Sequence, residues 1–306
     1  MKTQTVSTPP KTRSRGVHAA RARVAFFFLL PALLAIALTA GYPLFKTFQY
    51  SFTDALITDP SSAKPIGLGN FWYTNEKGVE LGLLQDPKWW GAVRSTFTFT
   101  FLSVGLEFVL GMVIALVLNS EFKGRSFLRT ALLVPWAIPT VVSAQMWSFM
   151  YNDSFGLLGT HLGAVLADAD KTLWAIIAVD VWKTTPFMAL MLIAGLSIIP
   201  ADLYEAADVD GASKWTQFWR ITLPLLRPAI LVAVVFRALD ALRVFDVMNV
   251  MLGPNRASEL SMTAYARLHM IDNQLLGYGS AVAVMIFLII LAFTVLYVAS
   301  LRVRFD

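Results

Sequence analysis

The sequence contains no cysteine, which excludes disulfides, thiolate nucleophiles and cysteine-ligated metal. Its three histidines, His18, His161 and His269, are scattered and hold neither a histidine metal centre nor a proton relay. No G-x-x-x-x-G-K-[ST] stretch occurs, so the chain does not cradle ATP in a phosphate loop. No repeat of fixed period runs through it. Charge is also scarce: 15% of the 306 residues are Asp, Glu, Lys or Arg, against roughly 25% in an ordinary soluble domain. That is too little polar surface for a water-facing globule.

Apolar runs take its place, with 57% of residues hydrophobic. About 20 such residues cross a bilayer. Six stretches qualify: about Val24–Leu44, Val93–Leu118, Leu128–Tyr151, Leu173–Ile199, Ala229–Val250 and Ala281–Leu301. The fold class is therefore all-α, a polytopic membrane protein. The first stretch is longer than the apolar region of a secretory signal and has no small-residue cleavage site after it. Residues 1–23 carry Lys2, Lys11, Arg13, Arg15, Arg21 and Arg23 among Ser, Thr and Pro, and are expected to be a disordered tail; 24–306 form the membrane domain. Pro31, Pro135, Pro139 and Pro186 lie inside spans, where neighbouring helices can take up freed backbone groups.

The net charge of +5 fits basic flanks on cytoplasmic helix ends better than nucleic-acid binding. The tail, the 119–129 loop (Lys123, Arg125, Arg129), the 200–228 loop (Lys214, Arg220, Arg227) and the C-terminus (Arg302, Arg304) are basic. The alternate loops carry acids: Asp54, Asp59, Glu76, Glu80 and Asp86, then Asp153, Asp168 and Asp170. Both termini are expected in the cytoplasm. Trp89 and Trp90 suit the outer membrane–water interface.

Between the fourth and fifth spans, residues 199–228 read as a helix–turn–helix on the cytoplasmic side. Asp202 with Glu205 is a capping-box variant after Pro200. Gly211 supplies a positive φ to end the first helix. Ser213 caps a second that carries Trp215, Phe218 and Trp219, and Pro224 stops it. Such a pair suits docking of a partner protein, or lies along the headgroups with its aromatics in lipid.

Charges inside spans normally face a cavity or a partner. The fifth span carries Arg237, Asp240, Arg243 and Asp246 at successive i, i+3 spacings, and the fourth carries Asp180 and Lys183 before Pro186. They read either as salt bridges within the bundle or as the polar groups of a mid-membrane cavity, with Trp182 or Phe187 stacking on a ring face of the solute. Glu107, near Gly105 and Gly111, reads as a helix-packing hydrogen bond ahead of a transport role.

The stretch Glu205-Ala206-Ala207-x-x-Asp210-Gly211-Ala212, with Phe218-x-x-Ile221-x-Leu223-Pro224-x-x-x-Pro228 after it, resembles the EAA loop of ATP-driven (ABC-type) importer permeases. The resemblance covers about residues 24–306. It includes Val181-Trp182-Lys183-Thr184-Thr185-Pro186-Phe187 and Phe236-Arg237-x-Leu239-Asp240-Ala241, which are similar to the maltose/trehalose carbohydrate permeases. It implies that Glu205, Ala206, Ala207, Asp210, Gly211, Ala212 and Phe218 meet an ATPase subunit. It implies substrate contacts at Asp180, Lys183, Thr184, Phe187, Phe236, Leu239, Asp240 and Arg243. The maltose type tends to have amides where this chain has Asp180, Asp240 and Arg243, which points to another polyol or disaccharide such as trehalose. The family's Gly-rich stretch after the fifth span is reduced here to Gly253-Pro254-Asn255.

The resemblance further implies a second, related permease, two ATPase copies holding ATP and Mg, and an extracellular solute-binding lipoprotein. It places the assembly in the inner (plasma) membrane, with no cofactor and no covalent catalysis in this chain. Three other readings remain: a glycerol-phosphate or glycerophosphodiester permease, a self-sufficient secondary transporter or channel, and a membrane-anchored scaffold.

Overall fold

The computed structural model describes residues 14–74, 78 and 82–300. Glu76, Glu80, Leu301, Arg302, Arg304 and residues 1–13 of the expected tail lie outside the described residues. The chain divides into two units, 1–49 and 50–306. In the first, α1 (Ser14–Ile36) passes through a π-type turn at Ala37–Gly41 into α2 (Tyr42–Tyr50). The helix starts well before Val24, so the expectation of a disordered segment up to residue 23 is corrected for 14–23. Ala19, Ala20 and Ala22, with Arg21 and Arg23, are good helix formers. Thr39 and Thr47 donate their hydroxyls to Ala35 O (2.7 Å) and Pro43 O (2.9 Å) one turn back, which satisfies them without water.

The second unit is built on α3 (Pro87–Asn119), the second span. Pro87 suits the first helical position and the Asp86 carboxylate accepts from Lys88 N at 2.8 Å. Then come α4 (Arg125–Leu132), α5 (Val134–Ala137), α6 (Thr140–Met150) and α7 (Gly159–Leu162). The fourth span is α8 (Ala169–Leu196), capped by Asp168, whose carboxyl is held below its usual range by hydrogen bonds from the helix N-terminus and by Lys171. After it, α9 (Asp202–Val209) and α10 (Lys214–Gln217) lead through a π-type turn, Phe218–Thr222, into α11 (Leu223–Ala241). Helices α12 (Asp246–Leu252), α13 (Pro254–Leu260) and α14 (Met262–Arg267) precede the sixth span, α15 (Leu276–Ser300). Among the described residues there is no strand, only an isolated bridge between Thr53 and Pro65.

Helices α3, α8 and α11 pack against one another around Phe99, Ile176, Met188, Leu192 and Leu226, all buried. Small residues bring the backbones close. A Cβ on Gly111 would lie 2.8 Å from Met188 Cγ of α8, and one on Gly195 would lie 2.4 Å from Ala229 Cβ of α11. Trp89, expected at the membrane surface, is buried against Tyr265, while Trp90 is exposed and donates Nε1–H to Leu84 O at 2.9 Å.

Two expected spans are broken. The third bends by 87° between Ala137 and Thr140: Pro139 pushes Ile138 into extended backbone, ψ 131°. The fifth stops at Ala241 and resumes at Asp246. No proline or glycine lies between them. A distant side chain stabilises that break, since Ser261 Oγ donates to the freed Val244 carbonyl at 2.5 Å. The segments beyond the breaks, α6 and α12, pack on each other, at the opposite ends of α8 and α11 from the loop that carries α9 and α10.

Candidate substrate cavity and coupling loop

Arg237, in the last third of α11, is 3% exposed. Its guanidinium forks onto Glu107 of α3, with Nε 2.6 Å from Oε2 and Nη2 2.9 Å from Oε1, the bidentate arrangement that suits a carboxylate. Nη2 also pairs with Asp180 of α8, and Nη1 reaches Asp240 at 3.1 Å. Ser103 Oγ lies 2.7 Å from Asp180 Oδ2 and 3.1 Å from Glu107 Oε1. Thr184 Oγ1 lies 2.7 Å from Glu107 Oε1. One cation thus ties three spans together through three carboxylates.

The i, i+3 ladder read along the fifth span holds only for Arg237 and Asp240. Arg243 and Asp246 lie at or beyond the end of α11 and are exposed. Glu107 does make the interhelical bond expected of it, as a charged pair with Arg237.

A cavity of about 140 Å³ opens beside this network. Of the residues singled out for substrate, Asp180, Lys183, Thr184, Asp240 and Arg243 line it. Three do not. Phe187 stacks on Trp136 at 6.3 Å, Phe236 is 59% exposed, and Leu239 lies with Arg243 in a separate hollow against α15. Thr140 and Asp246 also line the cavity. Asp246 was visible as a charge, but Thr140 enters only because the third span breaks just before it. Lys183 is buried and donates to Ile138 O at 2.6 Å and Trp136 O at 3.4 Å.

The loop between α8 and α11 forms the expected helix–turn–helix. Gly211 has φ +73°. Ala212 N–H donates to Ala207 O at 2.9 Å and Gly211 N–H to Asp208 O at 3.1 Å, the paired bonds of a Schellman ending. Ser213 caps α10 by accepting from Thr216 N at 3.3 Å. The expected capping box is absent: Ala201 is the cap residue and makes no side-chain bond. Pro224 does not stop a helix but sits in the first turn of α11, where its missing N–H costs nothing.

Lys214 Nζ bridges both Asp208 oxygens at 2.9 and 3.0 Å. This bond, with a second from Gln217, holds the Asp208 carboxyl below its usual range. Tyr204 OH meets Thr222 Oγ1 at 2.9 Å and ties α9 to the foot of α11. Of the residues singled out for coupling, Glu205, Ala206, Asp210 and Gly211 are exposed, Ala207 is buried, and Ala212 and Phe218 are half-buried. Val209, 87% exposed, and Trp215, 71% exposed, add apolar surface to the loop.

The family described as "Binding-protein-dependent transport system inner membrane component" matches residues 107–303. The trehalose/maltose transport system permease protein MalF of Thermococcus litoralis is 40% identical over 93% of this chain and 96% of its own length. The trehalose transport system permease protein SugA of Mycobacterium tuberculosis is 38% identical over 89% of this chain and 86% of its own. Among solved structures, a chain of a bacterial alginate ABC transporter, crystallised with an alginate pentasaccharide-bound periplasmic protein, has the same fold. Its TM-score is 0.76 at 21% identity, covering 94% of this chain and 97% of that one. A multi-pass membrane protein with an exposed helix–turn–helix beside a polar intramembrane cavity, this chain belongs to the family of binding-protein-dependent transport system inner membrane components.

Proposed function

We propose that this chain carries a neutral disaccharide of the trehalose type across the inner (plasma) membrane as one permease of an ATP-driven importer. The cavity where α3, α8 and α11 meet carries the reading. Its carboxylates, hydroxyl and guanidinium converge in an otherwise apolar bundle, as a site for a polyol requires. About 140 Å³ falls short of the roughly 300 Å³ at which small-molecule pockets begin, so the chain supplies one wall and a second, related permease the other. An extracellular binding lipoprotein delivers the sugar. Two ATPase copies, which bind the ATP and Mg, drive the cycle through the 200–228 loop, with Glu205, Ala206, Asp210 and Gly211 at the contact and both termini on that side. No cofactor is assigned to this chain.

Charge argues for a neutral solute over a glycerol phosphate. Arg237 is committed to three carboxylates and Lys183 to two carbonyls. Arg243, whose Nε lies 3.3 Å from Leu239 O, faces Asp180, Asp240 and Asp246 around the same cavity. The acids and bases that line the cavity balance, so it offers a phosphate no surplus positive charge.

The test is ATP hydrolysis by the complete complex in lipid, with trehalose, maltose and glycerol phosphate supplied in turn. Stimulation by trehalose in the presence of the binding protein is expected. Stimulation by glycerol phosphate alone would discard the sugar reading, and hydrolysis indifferent to every solute would discard the carbohydrate class.

A further inference from the structure

Trp182, Lys183 and Phe187 of α8 hold the third span on both sides of its break. Trp182 meets Trp147 of α6 edge to face, ring centroids 5.5 Å apart. Phe187 stacks on Trp136 of α5. Between them, the Lys183 ammonium binds Ile138 O and Trp136 O. These carbonyls lie at the C-terminal end of α5, where no further helical turn supplies donors, and where a cation is favoured by the helix dipole. Beyond the break, α6 packs on α12, and Thr140, Asp246 and Val247 at their first turns line the cavity. The angle of the break therefore sets where this wall of the cavity stands.

We infer that Trp182, Lys183 and Phe187 form a clasp on the broken third span, and that Lys183 is a positioning residue for the α6–α12 wall, not a ligand of the solute. The inference rests on the transport reading above, but its first readout needs no sugar. An ammonium has three donors and Lys183 gives two of them to carbonyls. Without it, two part-buried carbonyls lose their partner at the hinge, and the wall gains alternative positions.

Because the chain lacks cysteine, Thr140→Cys gives it a single thiol, at the cavity wall, and labelling is read on this chain alone after it is purified from the assembly. In the assembled transporter in native membranes, its reaction rate with a membrane-impermeant methanethiosulfonate reagent is compared with and without Lys183→Met. The expected change is about tenfold, equivalent to about 1.4 kcal/mol, with a smaller change for Lys183→Arg. In the cysteine-free chain, Lys183→Met lowers maximal sugar uptake and leaves the half-saturating concentration within about twofold, the signature of a positioning role.

Phe187→Leu, which keeps apolar bulk without the ring, shifts labelling in the same direction. Should Lys183→Met fail to assemble, Lys183→Arg and Phe187→Leu carry the same two readouts. Unchanged labelling with a raised half-saturating concentration would make Lys183 a sugar ligand and overturn the clasp. Unchanged labelling with unchanged uptake would overturn it as well. A wrong sugar assignment leaves the labelling result intact.

Discussion

At Arg237 one guanidinium satisfies carboxylates from three spans. Replacing it with methionine leaves Glu107 buried beside Asp180 with no cation between them. Removing one partner of a buried ion pair costs about 3–5 kcal/mol, so Arg237→Met should unfold the purified complex at a markedly lower temperature, followed by tryptophan fluorescence. Adding Glu107→Gln should recover part of the loss, because the orphaned charge is gone, and a double-mutant cycle reads the coupling. A variant of unchanged stability that fails only in transport would move Arg237 from the bundle to the solute. The Arg237–Asp240 pair was legible from its spacing. The Glu107 pair was not, because its partner lies 130 residues away and only the packing of α3 on α11 chooses it. Phe187 shows the same limit: an aromatic near a cavity suggests stacking on sugar, yet its ring is used on Trp136.

Whole elements follow hydrophobic length, so the second, fourth and sixth spans were readable, although their helices begin at Pro87, Ala169 and Leu276, ahead of the expected Val93, Leu173 and Ala281. The breaks were harder, for two different reasons. Pro139 was in view, but a proline inside a span is compatible with either a tolerated kink or an 87° turn. The break after Ala241 has no local signal, since the Ser261 hydroxyl that satisfies Val244 O comes from another element. Helix contacts obey a simpler rule. Gly195 of α8 faces Ala229 of α11 with no room for a side chain, a Cβ there falling 2.4 Å from its neighbour. Gly195→Leu should force the two helices apart between the loop and the cavity. Overpacking costs about 1–3 kcal/mol, and the expected result is lower thermal stability together with weaker sugar stimulation of ATP hydrolysis, whereas Gly195→Ala should be milder on both. Equal behaviour of the leucine variant and the parent would show that this contact opens during the cycle.

Across the whole molecule, the loop and the cavity are joined by rigid rods. Arg237 lies fourteen residues past the start of α11 at Leu223, about 21 Å at 1.5 Å per residue, and α8 runs beside it. Tyr204 ties α9 to Thr222 at the foot of that rod, so a displacement of the loop has a direct path to the ion network. The path begins at a turn that needs Gly211, whose φ of +73° costs a side-chain-bearing residue about 1–2 kcal/mol. Gly211→Val, a β-branched residue at positive φ, should disorder the turn without touching the spans, and Glu205→Ala should remove a charge from the proposed ATPase face. Each should leave the assembled complex hydrolysing ATP while cutting sugar uptake more than hydrolysis. The measurement is the ratio of sugar molecules imported to ATP hydrolysed in proteoliposomes. A fall in that ratio with intact assembly locates coupling in this loop. An unchanged ratio in the double variant would mean that force enters the permease elsewhere, and the exposed faces of Val209 and Trp215 would be the next surfaces to alter.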